Sequence, residues 1–524
     1  MRIILRAEGM MGYARAPRIA LSRVATERWA RLALYVPVSV LVLSLLVLVA
    51  IQLRWARAFI GWPIEIMYGE ALIQDHAARL VRGEALYQQI GQPSYTIANY
   101  TPLFYALMAA AQAFFGASLL FGRVTSAIAA IITALLLARL AARDGRGPAA
   151  GLLAAALYVS FGFPTPFPWF ALGKEDVLGV GFGVACVSVL TGGQTNRRVL
   201  AAGALAALAI LTKQSLIAAF LAGTGALALY DRRAAIGFAL ACLVPVGVVC
   251  AAFELTTHAF VANTVVANAQ GFRLDILQTN LATLKAYQAG PLAVAAFGAL
   301  RRLYMRQSFE DVLLPGYWLA TMVPLVGLAS VGSAQNYWIE LAASTAALAA
   351  SEIWFWLRRT DVRLSAVGAM LAALPLVNVV VAGRLALIWL PAVNMYDDPT
   401  TMTIEFAPLV ELVREVAGDV LAEPLDSVML AGKPALVEPW AADAMYQSGA
   451  WDIQPLVERM CAGEVRLAVL AHPIEDTVVA YHDYAIWPAP LLEAMRQRMV
   501  LQEVRAARFL YVPRAGASCG TLHV

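Results

Sequence analysis

Residues 34–53, "LYVPVSVLVLSLLVLVAIQL", form an apolar run that contains no charged residue. A helix of about 20 apolar residues is long enough to cross the hydrocarbon core of a bilayer. Similar apolar runs recur as far as about Leu390. Over the 524 residues, 60% are hydrophobic, only 14% are charged, and the mean hydropathy is +0.68. Globular proteins are roughly half apolar and a quarter charged. The sequence therefore predicts a polytopic α-helical membrane protein, and it lacks the alternating segments of a membrane barrel.

The basic residues predict the orientation of the first span. Residues 1–31 carry seven arginines and two acids, and arginine-rich segments stay in the cytoplasm. No apolar core with a small-residue cleavage site precedes Leu34, so we expect a signal anchor rather than a cleaved signal peptide. The net charge of +4 also raises the question of nucleic acid as a partner. Neither aromatic interleaving nor a binding motif supports it, so we expect no nucleic-acid partner.

The loops extend this orientation along the chain. The apolar piece "TPLFYALMAAAQAFFGA", 101–117, is short for a span and has a proline near its start, so we expect a re-entrant or interfacial helix. With it excluded, "RLAARDGRG", "TGGQTNRR", "YDRR", "RRLYMR" and "WLRRTDVR" all fall on the cytoplasmic side, as the positive-inside rule requires, and the chain makes about eleven spans. The opposite connections, which carry acids, lysines and tyrosines, lie outside.

Three regions follow from this topology: a cytoplasmic basic N-terminus over 1–32, a transmembrane domain over 33–394 whose first outer loop is about 54–118, and an extracytoplasmic tail over 395–524. Short apolar runs alternate with helical patterns in the tail, which predicts a small α/β domain.

Two of the five cysteines, Cys461 and Cys519, lie in the polar tail and could form a disulfide if the tail is extracytoplasmic. Cys186, Cys242 and Cys250 fall in apolar runs and are most simply core residues. No metal-type cysteine spacing is present.

The stretch "YGEALIQDHAARLVRGEALY", 68–87, crowds charges beside the first span, and we expect a helix over about 64–82 there. Asp75, Arg79 and Arg82 share one face at the spacing of ordinary helix ion pairs, so they predict a solvated face. Glu70 has no lysine or arginine three or four residues further along the helix. An acid without a local partner in apolar surroundings is a candidate for a functional site.

The second outer loop ends "LGKEDVLG", 172–179. Glu175 and Asp176 have a purely structural explanation, because the helix dipole favours acids in the first turn. The same helix N-terminus, together with Lys174, is also suited to binding a phosphate. Lys213 lies in the short hairpin "LTKQSL", where it either extends along the apolar surface to water or binds a phosphate.

The last polar group outside is "NYWIE", 336–340. Asn336 and Tyr337 stand at the start of a span, where aromatic residues are common. Glu340 has no such explanation, and ionisable groups at membrane depth tend to mark function.

Taken in order, these motifs resemble the GT-C superfamily of membrane glycosyltransferases, which use polyprenyl-phosphate-linked sugars. An arginine-rich start and one span precede an acid thirteen residues before "G-x-x-L-Y" (83–87). "NYTPLFY" (99–105) is similar to a "PPL-x-Y" helix, and "RVTSA" (123–127) opens the next span. "KQS" (213–215) and "NYW" (336–338) are similar to features of bacterial members. The resemblance covers about 33–345 and points to the branch that includes protein mannosyltransferases and lipid A aminoarabinose transferases.

The resemblance implies roles for individual residues. The first-loop acid, a general base or acceptor-orienting residue, maps onto Glu70, although the usual residue is Asp with an acidic or polar neighbour. The second-loop acid maps onto Asp176, or on a weaker match Glu175. The substrate-binding candidates are Glu175, Lys174, Lys213, Arg123, Asn99, Tyr100, Asn336, Tyr337 and Glu340.

The implied reaction moves a sugar from a polyprenyl-phosphate donor to an acceptor hydroxyl, with inversion, at the extracytoplasmic face of a bacterial inner membrane. The acceptor would be a glycan, lipid or protein. Superfamily members differ in their need for a divalent metal. No compact carboxylate cluster in this sequence demands one, so we assign no metal ligand and no certain cofactor.

Two other classes of protein fit parts of the pattern. A transporter or flippase of lipid-linked glycans would show internal repeats and polar residues at mid-membrane depth. No convincing repeat is present, and the acids lie at the ends of the spans. A noncatalytic envelope-assembly protein would bind through its outer domain alone.

Overall fold

The computed structural model describes residues 29–145, 147–162, 169–269, 271–330, 332–476 and 487–520. Most of the basic segment predicted over 1–32 lies outside the described residues, as does the proline-rich part of the second outer loop at 163–168. The helices of the membrane domain are α1 (Val36–Ile60), α2 (Glu70–Val81), α3 (Leu103–Phe115), α4 (Leu119–Asp144), α5 (Pro148–Phe161), α6 (Asp176–Leu190), α7 (Asn196–Thr212), α8 (Ala218–Tyr230), α9 (Arg232–Thr257), α10 (Leu274–Met305), α11 (Glu310–Ala320), α12 (Ile339–Leu357) and α13 (Val362–Val393).

Several of these helices have the length and composition of membrane spans. Five helical stretches of the described chain are long and apolar enough to cross a bilayer: Trp29–Ile60, Leu119–Asp144, Arg232–Thr257, Glu310–Ala329 and Val362–Tyr396. The expectation of a helical membrane protein with many apolar helices is therefore confirmed. The number of about eleven spans stays a prediction of the charge pattern.

The arginine-rich loops gather at one end of the helix bundle. Side chains of these loops contact one another. Arg31 donates to the carbonyl of Thr360, and Arg143 donates to the carbonyl of Thr191. Arg302 forms ion pairs with Asp144 and Asp311. The opposite end carries the acids and lysines singled out from the sequence. This segregation is what the positive-inside rule requires, and the cytoplasmic identity of the arginine end stays a prediction.

The short helix α3 lies beside α2 in the first outer loop. Its 13 residues rise about 20 Å, less than the roughly 30 Å of a bilayer core. Gln112 near its end donates to both the carbonyl and the side-chain oxygen of Gln74 in α2, at 2.8 and 2.7 Å. This length agrees with the expectation of an interfacial helix.

The C-terminal tail forms a small α/β domain, as its alternating pattern predicted. Its four-stranded sheet has the order β1-β2-β4-β3, in which β1 and β2 are parallel and the other pairs are antiparallel. The elements are α14 (Pro399–Glu415), β1 (Asp419–Glu423), α15 (Asp426–Leu430), α16 (Pro439–Gln447), α17 (Gln454–Ala462), β2 (Val465–Leu470), α18 (Ala489–Arg498), β3 (Met499–Arg505) and β4 (Arg508–Pro513). A disulfide between Cys461 and Cys519 joins α17 to the terminal segment, which answers the question that the sequence left open.

The tail domain packs directly on the first outer loop. Trp62, Leu72 and Leu119 share one apolar cluster with Phe406 and Leu409 of the tail. The two regions therefore bury a common core.

The interpretation of α2 as a helix with a solvated charged face is wrong for two of its three charges. Asp75 and Arg79 are only 3% and 1% exposed. They form the expected i,i+4 pair at 3.3 Å, and Asp75 also accepts the backbone N–H of Ala435 at 2.9 Å. The docked tail contacts Asp75, and Arg79 donates to Ser94 and Thr96 of the first outer loop. The sequence of α2 gave no sign of either contact. Arg82 is exposed, as expected, and pairs with Glu84 at 2.7 Å.

Candidate functional site

The first candidate, Glu70, has a partner after all. Its carboxylate accepts Nε and Nη2 of Arg123 at 2.9 and 2.8 Å, and both side chains are fully buried. It also accepts the backbone N–H of Gly173 at 2.7 Å and that of Ile66 at 3.1 Å. The local helix offers Glu70 no cation, as the sequence indicated, but α4 supplies one. The picture of an unpaired carboxylate is therefore wrong.

All hydrogen-bond donors of Arg123 are likewise engaged within the protein. Its remaining N–H groups donate to the carbonyls of Phe59, Trp62 and Ile64. A guanidinium has five N–H donors, and all five are used here, so none remains for a phosphate. The Glu70–Arg123 pair instead ties the end of α1 and the start of α2 to the second outer loop at Gly173. Burial raises the pKa of Glu70, but the charge and hydrogen bonds of Arg123 outweigh it and hold that pKa below its usual value.

A second cluster of polar groups lies where α6 and α7 meet. The Lys213 ammonium donates to Asp176 Oδ1 at 2.6 Å and to Glu175 Oε1 at 3.0 Å. It lies over the ring of Tyr100 at 4.7 Å and over that of Tyr337 at 5.4 Å. The structure thus brings together five residues that the sequence picked from four separate segments.

Asn336 completes the cluster by donating to Asp176 Oδ1 at 3.0 Å. Two carboxylates against one ammonium leave the cluster with a formal excess of negative charge. Lys213 therefore has little attraction left for a phosphate, and its predicted phosphate role is less suited to this geometry than a role in orienting the two acids. Among the described residues, Glu175 Oε2, Asp176 Oδ2 and Asn336 Oδ1 are buried acceptors without a hydrogen-bond partner. Such oxygens suit the hydroxyl groups of a sugar.

Lys174 is the cation that remains available. Its ammonium donates to the backbone carbonyl of Tyr68 at 2.6 Å, and within the described ranges it forms no ion pair. Its side chain is partly exposed, whereas Lys213 is buried. Its positive charge lowers the pKa of Glu65, Glu175 and Glu438, although burial raises all three by more. Lys174 therefore lies among three carboxyl groups without being paired to any of them.

Glu65 is the site residue that the sequence reasoning missed. It precedes α2 in the turn that leads from α1, and its side chain is partly exposed. Burial, with the charges of Asp426 and Glu70, raises its pKa to about 8, while Lys174 lowers it. Its Oε1 accepts only the backbone N–H of Ala71, at 3.3 Å, among the described residues. The available signal was an acid within five residues of Glu70 in an outer loop.

Two other predicted residues occupy different places. Glu340 points into the bundle, where it accepts the hydroxyl of Tyr317 at 3.0 Å and lies close to Gly183. It makes no contact with Lys213. Asn99 lies at the mouth of the cluster, and its carbonyl accepts Gln214 Nε2 at 2.8 Å. The structure therefore separates Glu340 from the other candidates and keeps Asn99 beside them.

A metal site was left open by the sequence. Across the part of the chain that the structure describes, no group of three or more His, Cys, Asp or Glu side chains is arranged to hold a metal ion. The acids of the site are instead engaged with Arg123, Lys213 and backbone N–H groups.

Solved structures share the fold of this chain, and that likeness supports the resemblance to the GT-C superfamily that the order of the motifs predicted. No protein-family model and no curated protein matches the chain, and the likeness is to solved structures.

One similar structure is ArnT from Cupriavidus metallidurans bound to undecaprenyl phosphate, with a TM-score of 0.56 and 12% identity over 91% of this chain and 99% of that one. Another is the archaeal oligosaccharyltransferase AglB from Archaeoglobus fulgidus, in complex with an inhibitory peptide and a dolichol-phosphate. Its TM-score is 0.52, with 15% identity over 90% of this chain and 74% of that one. At such identities the comparison establishes the fold.

Proposed function

We propose that the protein is a membrane glycosyltransferase that moves a hexosyl or pentosyl group from a polyprenyl-phosphate donor to an acceptor hydroxyl. The reaction would take place at the extracytoplasmic face of a bacterial inner membrane. The observation that carries the proposal is Lys174, a cation that forms no ion pair among the described residues, between a partly exposed carboxyl group, Glu65, and a cluster of unpartnered acceptors at Asp176. Two proteins of this fold, ArnT and AglB, have been solved with undecaprenyl phosphate and with a dolichol-phosphate.

The charges divide the reaction among the residues. The donor phosphate binds at Lys174, whose ammonium stabilises the negative charge that grows on the departing polyprenyl phosphate. The sugar hydroxyls donate to the free oxygens of Glu175, Asp176 and Asn336. Lys213 fixes these carboxylates and keeps their mutual repulsion low. The lipid chain stays in the bilayer while the sugar faces outward.

Glu65 is the proposed general base. It takes the proton of the acceptor hydroxyl while that oxygen attacks the anomeric carbon, and a single displacement inverts the anomeric configuration. A pKa of about 8 suits this role, because a base works best when its pKa lies near the working pH. Glu70 was the sequence-based candidate. Its committed oxygens and lowered pKa make it a positioning residue in this proposal. Asp176 is kept as the second candidate base because its Oδ2 is free among the described residues.

The test is transfer of label from radiolabelled polyprenyl-phosphate sugars by the purified protein in proteoliposomes. Glu65→Gln should lower kcat by about 100-fold or more, the usual contribution of a general base. Lys174→Ala should lower kcat/KM. The matched control is Glu84→Gln, which alters an exposed acid in the same loop and should leave transfer unchanged.

Two outcomes would contradict parts of the proposal. If folded Glu65→Gln keeps full activity while Asp176→Asn loses it, the general base is Asp176 in the second outer loop and not Glu65. Wild-type protein that transfers no label from any donor in a panel of hexosyl and pentosyl lipids would remove the activity itself.

The proposed orientation has a separate test. Cysteines placed at Gln92 in the first outer loop and at Arg197 in an arginine-rich loop should react with an impermeant thiol reagent from opposite sides of the membrane. Labelling of both from the same side would contradict the topology.

A further inference from the structure

The C-terminal domain places one buried acid, Glu438, beside Lys174 of the transfer site. Glu438 stands at the N-terminus of α16 and is 2% exposed. One of its oxygens accepts the backbone N–H of Ala441 at 3.0 Å. The other accepts the hydroxyl of Tyr68, which belongs to the first outer loop. A buried acid of the tail thus holds a residue of the membrane domain.

Tyr68 in turn holds Lys174. Its backbone carbonyl accepts the Lys174 ammonium at 2.6 Å, while its hydroxyl also accepts the backbone N–H of Trp440 at 3.3 Å. The next residue, Gly69, has φ of 91°, and a Cβ there would lie 2.5 Å from the Lys174 ammonium. Lys174 therefore lies across a tight turn in which the side chain of Tyr68 is anchored in the tail.

We propose that Glu438 is a positioning residue of the transfer site: by fixing Tyr68 it places Lys174 where a lipid phosphate binds, so the site is complete only when the C-terminal domain is docked. This inference rests on the proposed function. A carboxyl group of the C-terminal domain would thus position a phosphate-binding cation of the membrane domain.

The charge of Glu438 adds a second effect. Burial raises its pKa to about 7, with the Tyr68 hydrogen bond and Lys174 lowering it. The other charged groups nearby are Glu423, which acts on Tyr68, and Glu65, which acts with Lys174. Because Tyr68 can donate to either form of the carboxyl group, its position changes little on titration. The ionised form, present above about pH 7, partly neutralises Lys174 and weakens phosphate binding.

The test uses the full-length protein in detergent micelles and undecaprenyl phosphate as the probe, with binding measured on both sides of pH 7. Below pH 7, Glu438→Ala should bind the lipid about tenfold more weakly, the equivalent of one lost hydrogen bond. Glu438→Gln keeps an acceptor for Tyr68 without the charge. It should bind like the wild type at low pH and should weaken less than the wild type as the pH rises past 7, because only Glu65, whose pKa is about 8, then adds negative charge beside Lys174.

Two further variants separate positioning from folding. Tyr68→Phe removes only the hydroxyl and should reproduce the weaker binding of Glu438→Ala. Glu458→Gln changes an exposed acid of α17 and should match the wild type throughout. Wild-type binding that Glu438→Ala and Tyr68→Phe leave unchanged overturns this inference alone, as does a Glu438→Gln variant with the wild-type pH profile. Absence of binding by the wild type overturns the proposed function and, with it, this inference.

Discussion

Glu70→Gln distinguishes a structural carboxylate from a catalytic one. Each oxygen of Glu70 faces at least two donors: Arg123 Nε and the N–H of Gly173 on one side, and Arg123 Nη2 and the N–H groups of Ile66 and Met67 on the other. An amide has only one acceptor oxygen, so in either rotamer its NH₂ group meets at least two donors. The substitution also leaves the buried Arg123 charge without its counter-ion.

The expected loss of unfolding free energy is about 3–5 kcal/mol, the usual cost of removing one partner of a buried ion pair. We expect this loss in unfolding by denaturing detergent in mixed micelles, together with an earlier loss of the native state on heating. Glu84→Gln breaks an exposed pair with Arg82 in the same loop and should cost no more than about 1 kcal/mol.

The refuting result is equally definite. If Glu70→Gln unfolds like the wild type and yet loses transfer, Glu70 acts in the chemistry and not in holding the outer loops together. If both variants lose similar stability, burial of the pair has no special role.

The remaining predictions concern the turn before α2, the tail and the base. Gly69→Ala should weaken binding of undecaprenyl phosphate, because its Cβ displaces the Lys174 ammonium; Gly83→Ala, with a similar φ of 75° and open space around its Cβ, controls for backbone strain and should bind normally. Cys461→Ser opens a disulfide that spans 58 residues, and protease resistance of the tail should show a loss of about 2–4 kcal/mol of stability. Because the ionised form of Glu65 is the base and its pKa is about 8, kcat should rise with pH and level off above about 8, and Glu65→Gln should lack this rise. A flat wild-type profile would contradict that assignment.

Local patterns were enough to predict the membrane fold. Apolar runs and arginine-rich loops predicted helices whose basic ends meet on one side, and the motif order predicted the GT-C fold. The cluster around Lys213 could also be predicted from the sequence, because each member stands at the end of an apolar run in an outer loop. Residues at the ends of spans that point to the same side of the membrane come close together when the helices pack into a bundle, so their proximity can be predicted from the sequence.

Contacts between residues that are distant in the chain could not be predicted from the sequence. Glu70 and Arg123 are 53 residues apart, and Asp75 meets Ala435 from another domain. Helix periodicity shows which residues share a face, but not what covers that face. Glu65 was missed for the related reason that its raised pKa comes chiefly from burial and from the charge of Asp426, which is far from it in sequence.

The position of the phosphate in an experimental structure of the protein with undecaprenyl phosphate tests the proposed site most directly. We expect the phosphate against the Lys174 ammonium, beside Glu65, with Lys213 still bound to Glu175 and Asp176. A phosphate bound to a Lys213 that has left its carboxylates would contradict the division of charges proposed here. A lipid bound away from the first and second outer loops would contradict the site itself.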